Sequence, residues 1–374
     1  MSEVIKIVFW LSAFAIVYAY LGYPLVLLFL RIFVHRRVQK ASIEPCVTIV
    51  VAAYNERRVI EAKIRNAISL DYPADKLEVL IASDGSSDGT VEAARQLSDG
   101  DRVRVLAFPQ NRGKISVLND AVREARGEIV VFSDASAILK EDSIRKLVAN
   151  FADPKVGAVS GIYRVQHASG ARLGSQEEIY WKYETFLRMQ ESILASTIGG
   201  HGQILGVRKN LYPFPAPGTI NDDFVIPVRV LAGGGRVVYE PLAVAFEEAS
   251  EMVGFQRRVR IMAGNIQQLS EMKGLLWPLQ PLPLLFFFSR KVVRSAVPFL
   301  LVCLAVSNCF LLYGRFYQLT GCCQLIFYGL ALSGSRWQLK PRGLRLPYYF
   351  CFVNFAYLWG LYQSIQGRSK VRWK

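Results

Sequence analysis

Apolar positions fall into three kinds of pattern along this chain. Val4 to Leu30 is almost continuously apolar, broken only by Lys6, Gly22 and Pro24. At about 27 residues it is long enough to cross a bilayer as a helix. From Val47 the pattern changes to short β-branched runs, each followed by a stretch of helical period. "VTIVVAA" precedes a helix predicted from about Glu56 to Ser69, and "LEVLIAS" one from Thr90. "VRVLAF" precedes one from Lys114 to Ala125, and "EIVVFS" one from Glu141 to Phe151. The strands are apolar on both faces and recur roughly every 26 to 30 residues, so they predict an α/β domain with a mostly parallel, Rossmann-like sheet covered by helices. Ligands of such sheets bind beyond the carboxyl ends of the strands. A further helix is predicted from Gly174 to about Ser192, leading to the loop "IGGHGQILGVRKNLYPFPAPG" and the acidic "INDDF".

The third pattern begins at Lys273. "LLWPLQPLPLLFFFSRKVVR" combines prolines and aromatics with a basic cluster, which predicts a segment lying at the membrane surface with Trp277, Arg290, Lys291 and Arg294 at headgroup level. Three apolar spans are predicted after it, about 295–313, 316–332 and 347–365. Together these give an anchor over 1–40, a catalytic domain over 41–272, and an interfacial helix with C-terminal membrane helices over 273–374. An odd number of crossings after a cytoplasmic domain would put "GRSKVRWK" outside, against the positive-inside tendency, so the sense of the last segment stays open.

Composition sharpens this picture. The 374 residues are 52% hydrophobic with mean hydropathy +0.24, too apolar for an ordinary soluble domain. The net charge of +15 sits at the ends: residues 1–40 hold +4 and 273–374 hold +13, leaving the middle at −2. A slightly acidic central domain is a poor nucleic-acid binder, and basic flanks fit the cytoplasmic edge of a membrane, so membrane lipids and not nucleic acid are the expected partner. The first apolar stretch reads as a retained anchor with Arg31, His35, Arg36, Arg37 and Lys40 following at once, because a cleaved signal would have a shorter core and a small-residue cleavage site. Six cysteines (Cys46, Cys303, Cys309, Cys322, Cys323, Cys351) show no CxxC spacing, and five lie in the apolar C-terminal third, which speaks against zinc and against a disulfide framework.

Candidate chemistry gathers at the predicted strand ends. "AAYNE" follows the first strand, "SDGSSDGT" the second and "SDAS" the fourth, with "NRGK" between. Asp84 is placed where the chain turns through Gly85, with its carboxylate toward the crevice, although an Asp-Gly turn alone would explain it. Lys114 opens a helix behind Gly113, so backbone N–H groups and an ammonium are both candidates to face phosphate. Asn221 to Asp223 read equally well as a helix cap with acids in the first turn. A lone histidine between glycines, His201, is more often structural.

As an ordered set, "VAAYNE", "SDGSSDGT", "GKISVLNDAV", "VVFSDASA" and "NDDF" resemble the signature of glycosyltransferase family 2, the inverting sugar-nucleotide transferases of GT-A fold. The resemblance covers about residues 46 to 265, and the flanking spans are similar to those of membrane-bound members that make polysaccharides. It implies that Ala53, Tyr54, Asn55 and Glu56 hold the base and ribose and that Asp84 hydrogen-bonds the base. It implies further that Lys114, Asp134, Ala135, Ser136, Arg257 and Arg260 contact the rest of the donor. Asp134 would hold Mg²⁺ or Mn²⁺, Asp223 (or its neighbour Asp222) would be the catalytic base, and His201, Gly202 and Gln203 would shape the acceptor pocket. Two positions depart from the family's pattern. Ser136 stands where a second acid is common, offering only a neutral hydroxyl to a metal, and Ile261 stands where a tryptophan would stack on sugar.

The expected activity is transfer from a nucleotide sugar, UDP-linked, to a lipid-linked or growing glycan acceptor in cell-surface polysaccharide synthesis. The enzyme would be a multi-pass protein of the inner or plasma membrane, with other polysaccharide-assembly proteins as possible partners. The competing readings are a processive synthase extruding its polymer, for which the spans offer few polar groups (Asn308, Gln318, Gln324, Asn354), and a catalytically silent sugar-nucleotide-binding regulator. A nucleotidyltransferase is disfavoured because no Gly-rich triphosphate loop is evident.

Overall fold

The computed structural model describes residues 2–166, 174–248, 264–265, 267–271, 273–276, 279–336 and 346–366. Arg257, Arg260, Ile261 and Trp277 lie outside the described residues.

Four strands form as the periodicity predicts: β1 (Val47–Ala53), β2 (Leu77–Asp84), β3 (Val103–Phe108) and β4 (Ile129–Phe132). Helices α3 (Ile60–Ile68), α4 (Thr90–Gln96) and α5 (Lys114–Glu124) connect them, following α1 (Ser2–Val17) and α2 (Tyr23–Phe33) at the N-terminal end. Then come β5 (Ile138–Leu139), α6 (Ser143–Val148), β6 (Val156–Gln166), α7 (Gly174–Leu194), β7 (Leu205–Arg208), α8 (Asp222–Ala232) and β8 (Arg236–Glu248).

All eight strands join one sheet in the order β3-β2-β1-β4-β7-β6-β8-β5. The β3-β2-β1-β4 half is parallel, as expected. The other half corrects the expectation of a mostly parallel sheet: β7 runs antiparallel to both β4 and β6, and β5 antiparallel to β8, with only β6 and β8 parallel. The sheet is therefore mixed. The regular alternation of strand and helix that sets β1 to β4 parallel ends after β4, and the short strands β5 and β7, of two and four residues, enter the sheet in the opposite sense to their neighbours.

Because β2 and β3 are laid on one side of β1 and β4 on the other, the strand order reverses at β1/β4, and a crevice opens beyond their carboxyl ends. Alternate side chains of the buried strands serve two cores. Val47, Ile49, Val51 and Ala53 of β1 face Ile60, Ile64 and Ala67 of α3, while Val50 and Ala52 face α5, α7 and α8.

That second core also contains Tyr23 and Leu27 of α2 and Phe286 and Phe287. The apolar ends are thus packed into the α/β domain. Among the described residues two helices are long and apolar enough to cross a membrane, Glu3–Phe33 and Pro281–Phe310. Leu11, Phe14, Leu25 and Phe29 are exposed along the first, as a lipid-facing surface requires. The helix Pro281–Phe310 merges the expected surface segment with the first expected C-terminal span. Arg290 is turned into the protein: it is buried, 2.9 Å from Glu184 and 2.8 Å from Glu191 of α7, and Arg294 also pairs with Glu184. Burial works to raise the Glu184 pKa, yet Arg294 and Arg290 hold the carboxyl well below its usual range. The Tyr23 hydroxyl completes the cluster by donating to Glu191 at 2.6 Å. Residues Arg315–Arg336 and Leu346–Ile365, where two more spans were expected, are helical but do not reach the length and apolarity of the first two. All six cysteines are free.

Candidate active site

Three strand-end loops are tied to one another at the crevice. Asn55 sits at φ +57° just after β1, its N–H donating to Ser86 Oγ at 3.0 Å and its side-chain oxygen accepting from Ser87 N at 2.9 Å. Glu56 N donates to Thr90 Oγ1 and Arg57 N to Asp88, so the β1 and β2 loops form one rigid rim with Tyr54 half-buried between them. Gly85 allows this: at φ +72° it lies so close to the next loop that a Cβ would be 2.6 Å from Asn111 N.

Asp84 ends β2 fully buried. Its two oxygens accept the N–H groups of Arg112 at 2.8 Å and Gly113 at 2.9 Å. Those amides are therefore spent on Asp84 and not presented to a ligand. What the loop presents is the Lys114 ammonium at the start of α5.

Lys114 is the centre of the site. Its Nζ is 2.9 Å from Asp134 Oδ1, beyond β4, and 3.0 Å from Asp222 Oδ2, in the first turn of α8. Burial opposes its charge, but the two carboxylates more than offset this and hold the ammonium well above its ordinary range. Asn221 occupies the N-cap position of α8, so Asp222 and Asp223 lie at the positive end of the helix dipole. Asp222 takes the ion pair with Lys114. The carboxyl of Asp223 is shifted upward by burial and then by the adjacent charge of Asp222, against the pull of Arg188 and Lys114. A carboxylate raised in this way is suited to accept a proton.

The loop 199–203 closes the crevice from β7. Its Gly200 N–H donates to Asp223 O at 2.7 Å, and Arg188 donates to Gly200 O at 2.6 Å. Gly202 brings bare backbone against the site, since a Cβ there would lie 3.4 Å from Asp134 Oδ2 and 3.6 Å from Lys114 Nζ. His201 is turned into the protein, with Nε2 3.0 Å from the Tyr239 hydroxyl and its ring against Trp181 and Tyr163. Gln203 directs its amide at Glu247 Oε2, 3.2 Å away.

The turn carrying Asp134 is braced from behind by Lys63 of α3. This side chain is fully buried, and its ammonium donates to Ser133 Oγ at 2.6 Å and to Ala137 O at 2.5 Å. Ser133 in turn donates to Gln203 O at 2.8 Å, and Ala135 is buried between them. Ser136 donates to Glu247 Oε1 at 2.7 Å. Neither Lys63 nor Glu247 was singled out in the sequence. The signal for Lys63 was a charge on the apolar face of α3, in register with Ile60, Ile64 and Ala67. Glu247 carried no signal, being one acid at the end of a strand.

Residues 48–212 match the family model described as glycosyl transferase family 2. The matched stretch runs from β1 to β7 and includes Lys114 and Asp134. The domain and the segments around it are similar to the poly-β-1,6-N-acetyl-D-glucosamine synthase of Staphylococcus aureus (strain COL), 29% identical over 245 residues, which is 62% of this chain and 59% of that protein. The synthase of the same name from Staphylococcus epidermidis is 25% identical over 230 residues, 60% of this chain and 55% of that one. This chain therefore spans less than two thirds of the length of those relatives. Among solved structures, a mannosyltransferase from Pyrobaculum calidifontis in complex with GDP-Man and Mn²⁺ superposes with a TM-score of 0.73 at 24% identity, over 96% of this chain and 99% of that one. That likeness shows the fold, which extends beyond the domain to the flanking helices, and the mixed sheet agrees with the GT-A fold.

The residues fit a divalent cation of the hard, oxygen-loving kind. The Lys114 ammonium already sits as a cation on Asp134. Among the described residues no three His, Cys, Asp or Glu side chains gather on one point. Asp134 is one oxygen ligand of the kind that such a cation combines with water and substrate phosphates.

Proposed function

We propose that this protein is a membrane-bound inverting glycosyltransferase that moves a sugar from a nucleotide diphosphate donor, UDP-linked, to a lipid-linked or growing glycan acceptor. The observation that carries the reading is the Asp134–Lys114–Asp222 bridge at the strand-order reversal, with Asp223 adjoining it. It joins a phosphate-facing cation to a pair of acids, which are the two things that sugar transfer from a diphosphate requires.

The acceptor hydroxyl gives its proton to a carboxylate oxygen of Asp223 as its own oxygen bonds to the anomeric carbon. In the same displacement the bond from that carbon to the diphosphate breaks on the opposite face, which inverts the centre. Lys114 donates to the departing diphosphate and opposes its charge. A divalent cation, when bound at Asp134, supplies further charge to the same phosphates. Tyr54, Asn55 and Glu56 on the tied rim hold the base and ribose. Asp84 acts on them through the loop it braces. Arg257 and Arg260 remain candidates for the diphosphate on the strength of the family resemblance.

Residues 41–272 form the catalytic domain on the cytoplasmic side, held by the anchor of 1–40 and the membrane segments of 273–374. The names of the staphylococcal relatives favour a polysaccharide product and so keep a processive synthase as the second reading. The test is a panel of UDP- and GDP-sugars offered to the purified full chain in detergent, scored for nucleotide release and for product length on a defined primer, with EDTA as the control. Single additions support the first reading and long products the second. No release with any donor refutes both.

A further inference from the structure

We propose that Glu247, at the end of β8, supplies the second carboxylate of the divalent-cation site, replacing the acid missing at Ser136. This rests on the reading that the crevice binds a nucleotide diphosphate with a cation.

The geometry brings Glu247 to the vacated position. The antiparallel pairing of Ile138 with Phe246 sets the end of β8 beside the turn that carries Asp134, and Ser136 reaches Glu247 Oε1 directly at 2.7 Å. The other oxygen is held by the Gln203 amide at 3.2 Å. Gln203 is itself fixed, since its carbonyl accepts from Ser133, the residue before Asp134. Both oxygens of Glu247 are thus aimed by two neutral donors that belong to the Asp134 turn and to the 199–203 loop.

The charge argument points the same way. Glu247 is half-buried, and among the described residues no Lys or Arg forms an ion pair with it. A partly buried carboxylate held by neutral groups alone is an electrostatic debt, which a cation settles. The nearby Glu56 registers that negative field: its carboxyl is raised by burial first, then by Asp134, Asp88 and Glu247. Asp134 and Glu247 therefore share one region of negative potential. Ser136, in this reading, is the hydrogen-bond donor that fixes the replacement ligand. Donor phosphates, drawn to Lys114, would take that ammonium off Asp134 as the cation arrives.

The experiment is Mn²⁺ binding to the purified full chain in detergent with UDP or GDP present, read by the electron paramagnetic resonance signal of free Mn²⁺. Wild type binds Mn²⁺, and Glu247→Gln weakens the Kd at least tenfold, since even partners outside the coordination sphere are commonly worth 10- to 100-fold. Ser136→Asp in the Glu247→Gln background, which returns the charge to the β4 turn, restores the Kd to within about threefold of wild type. Ser136→Asp alone tightens it, a result that does not depend on the Glu247 variant folding. Nucleotide affinity in EDTA stays unchanged in Glu247→Gln, which separates loss of the ligand from loss of the fold. Wild-type Mn²⁺ affinity in Glu247→Gln, or no recovery in the double substitution, overturns the assignment while leaving the glycosyltransferase reading intact. A wild type that binds no Mn²⁺ with either nucleotide overturns both.

Discussion

Lys63 gives the most quantitative test of how the Asp134 turn is built. Its ammonium is fully buried against Ser133 and Ala137, and burial lowers its pKa from 10.5 to about 7 despite the pull of Asp134. In the unfolded chain the lysine keeps its proton up to about pH 10.5. The folded protein gives it up near pH 7, so between these values the unfolded state binds more protons and stability rises with pH. Below about pH 6 both states are charged and the contribution is flat at its least favourable level. The gap between 10.5 and about 7 corresponds to about 5 kcal/mol in all, of which about 2 kcal/mol falls between pH 7 and 9. Lys63→Met keeps the unbranched stem and removes the titration. It leaves Ala137 O unpaired at about 1–3 kcal/mol, a cost that does not vary with pH. Thermal scans of wild type and variant in detergent and EDTA should therefore show the wild type gaining about 3–5 °C on Lys63→Met between pH 7 and 9. A melting-point difference that stays constant from pH 6 to 9 refutes a buried lysine that loses its proton on folding.

Three further outcomes are expected. Asp223→Asn lowers kcat by about 10²–10⁴ with nucleotide affinity unchanged, checked by steady-state kinetics and calorimetry; an active variant removes Asp223 as the base. Arg290→Met leaves Glu191 buried without its cation and Glu184 with Arg294 alone, and destabilises by about 3–5 kcal/mol, read as a fall in melting temperature; an unchanged melt would deny the buried cluster. Gly85→Ala forces a Cβ to 2.6 Å from Asn111 N at φ +72°. It costs about 1–3 kcal/mol and weakens nucleotide binding through the shifted rim, so wild-type binding and stability would refute the close approach.

The legible half of the fold was the half in which burial dictates sequence. β1 to β4 lie between two helical layers, so each is a run of apolar residues followed by a recognisable turn, and their order and the helices between them could be read directly. β5 and β7 could not, since two or four residues hold no periodicity, and their antiparallel returns are what make the sheet mixed. At the site, Asp134, Lys114, Asp222 and Asp223 stood out because each follows a predicted strand or opens a helix, and the structure brings Asp134, Lys114 and Asp222 into one bridge. Glu247 and Lys63 escaped because their meaning lies in contacts across more than 40 residues of chain. The pairing of Arg290 was hidden for a related reason. A basic cluster beside an apolar run resembles a headgroup anchor until its acidic partners, about 100 residues earlier, are seen to be buried with it.

The cluster formed by Tyr23, Glu191, Glu184, Arg290 and Arg294 has a practical meaning for anyone handling this protein. Trimming the greasy ends to obtain a water-soluble fragment would strip counter-ions from α7, the rod whose Arg188 clasps Gly200 beside the reacting acids. The apolar helices are pillars of the candidate site and not mere moorings, so the turnover proposed for it should track the integrity of the amphiphile around them.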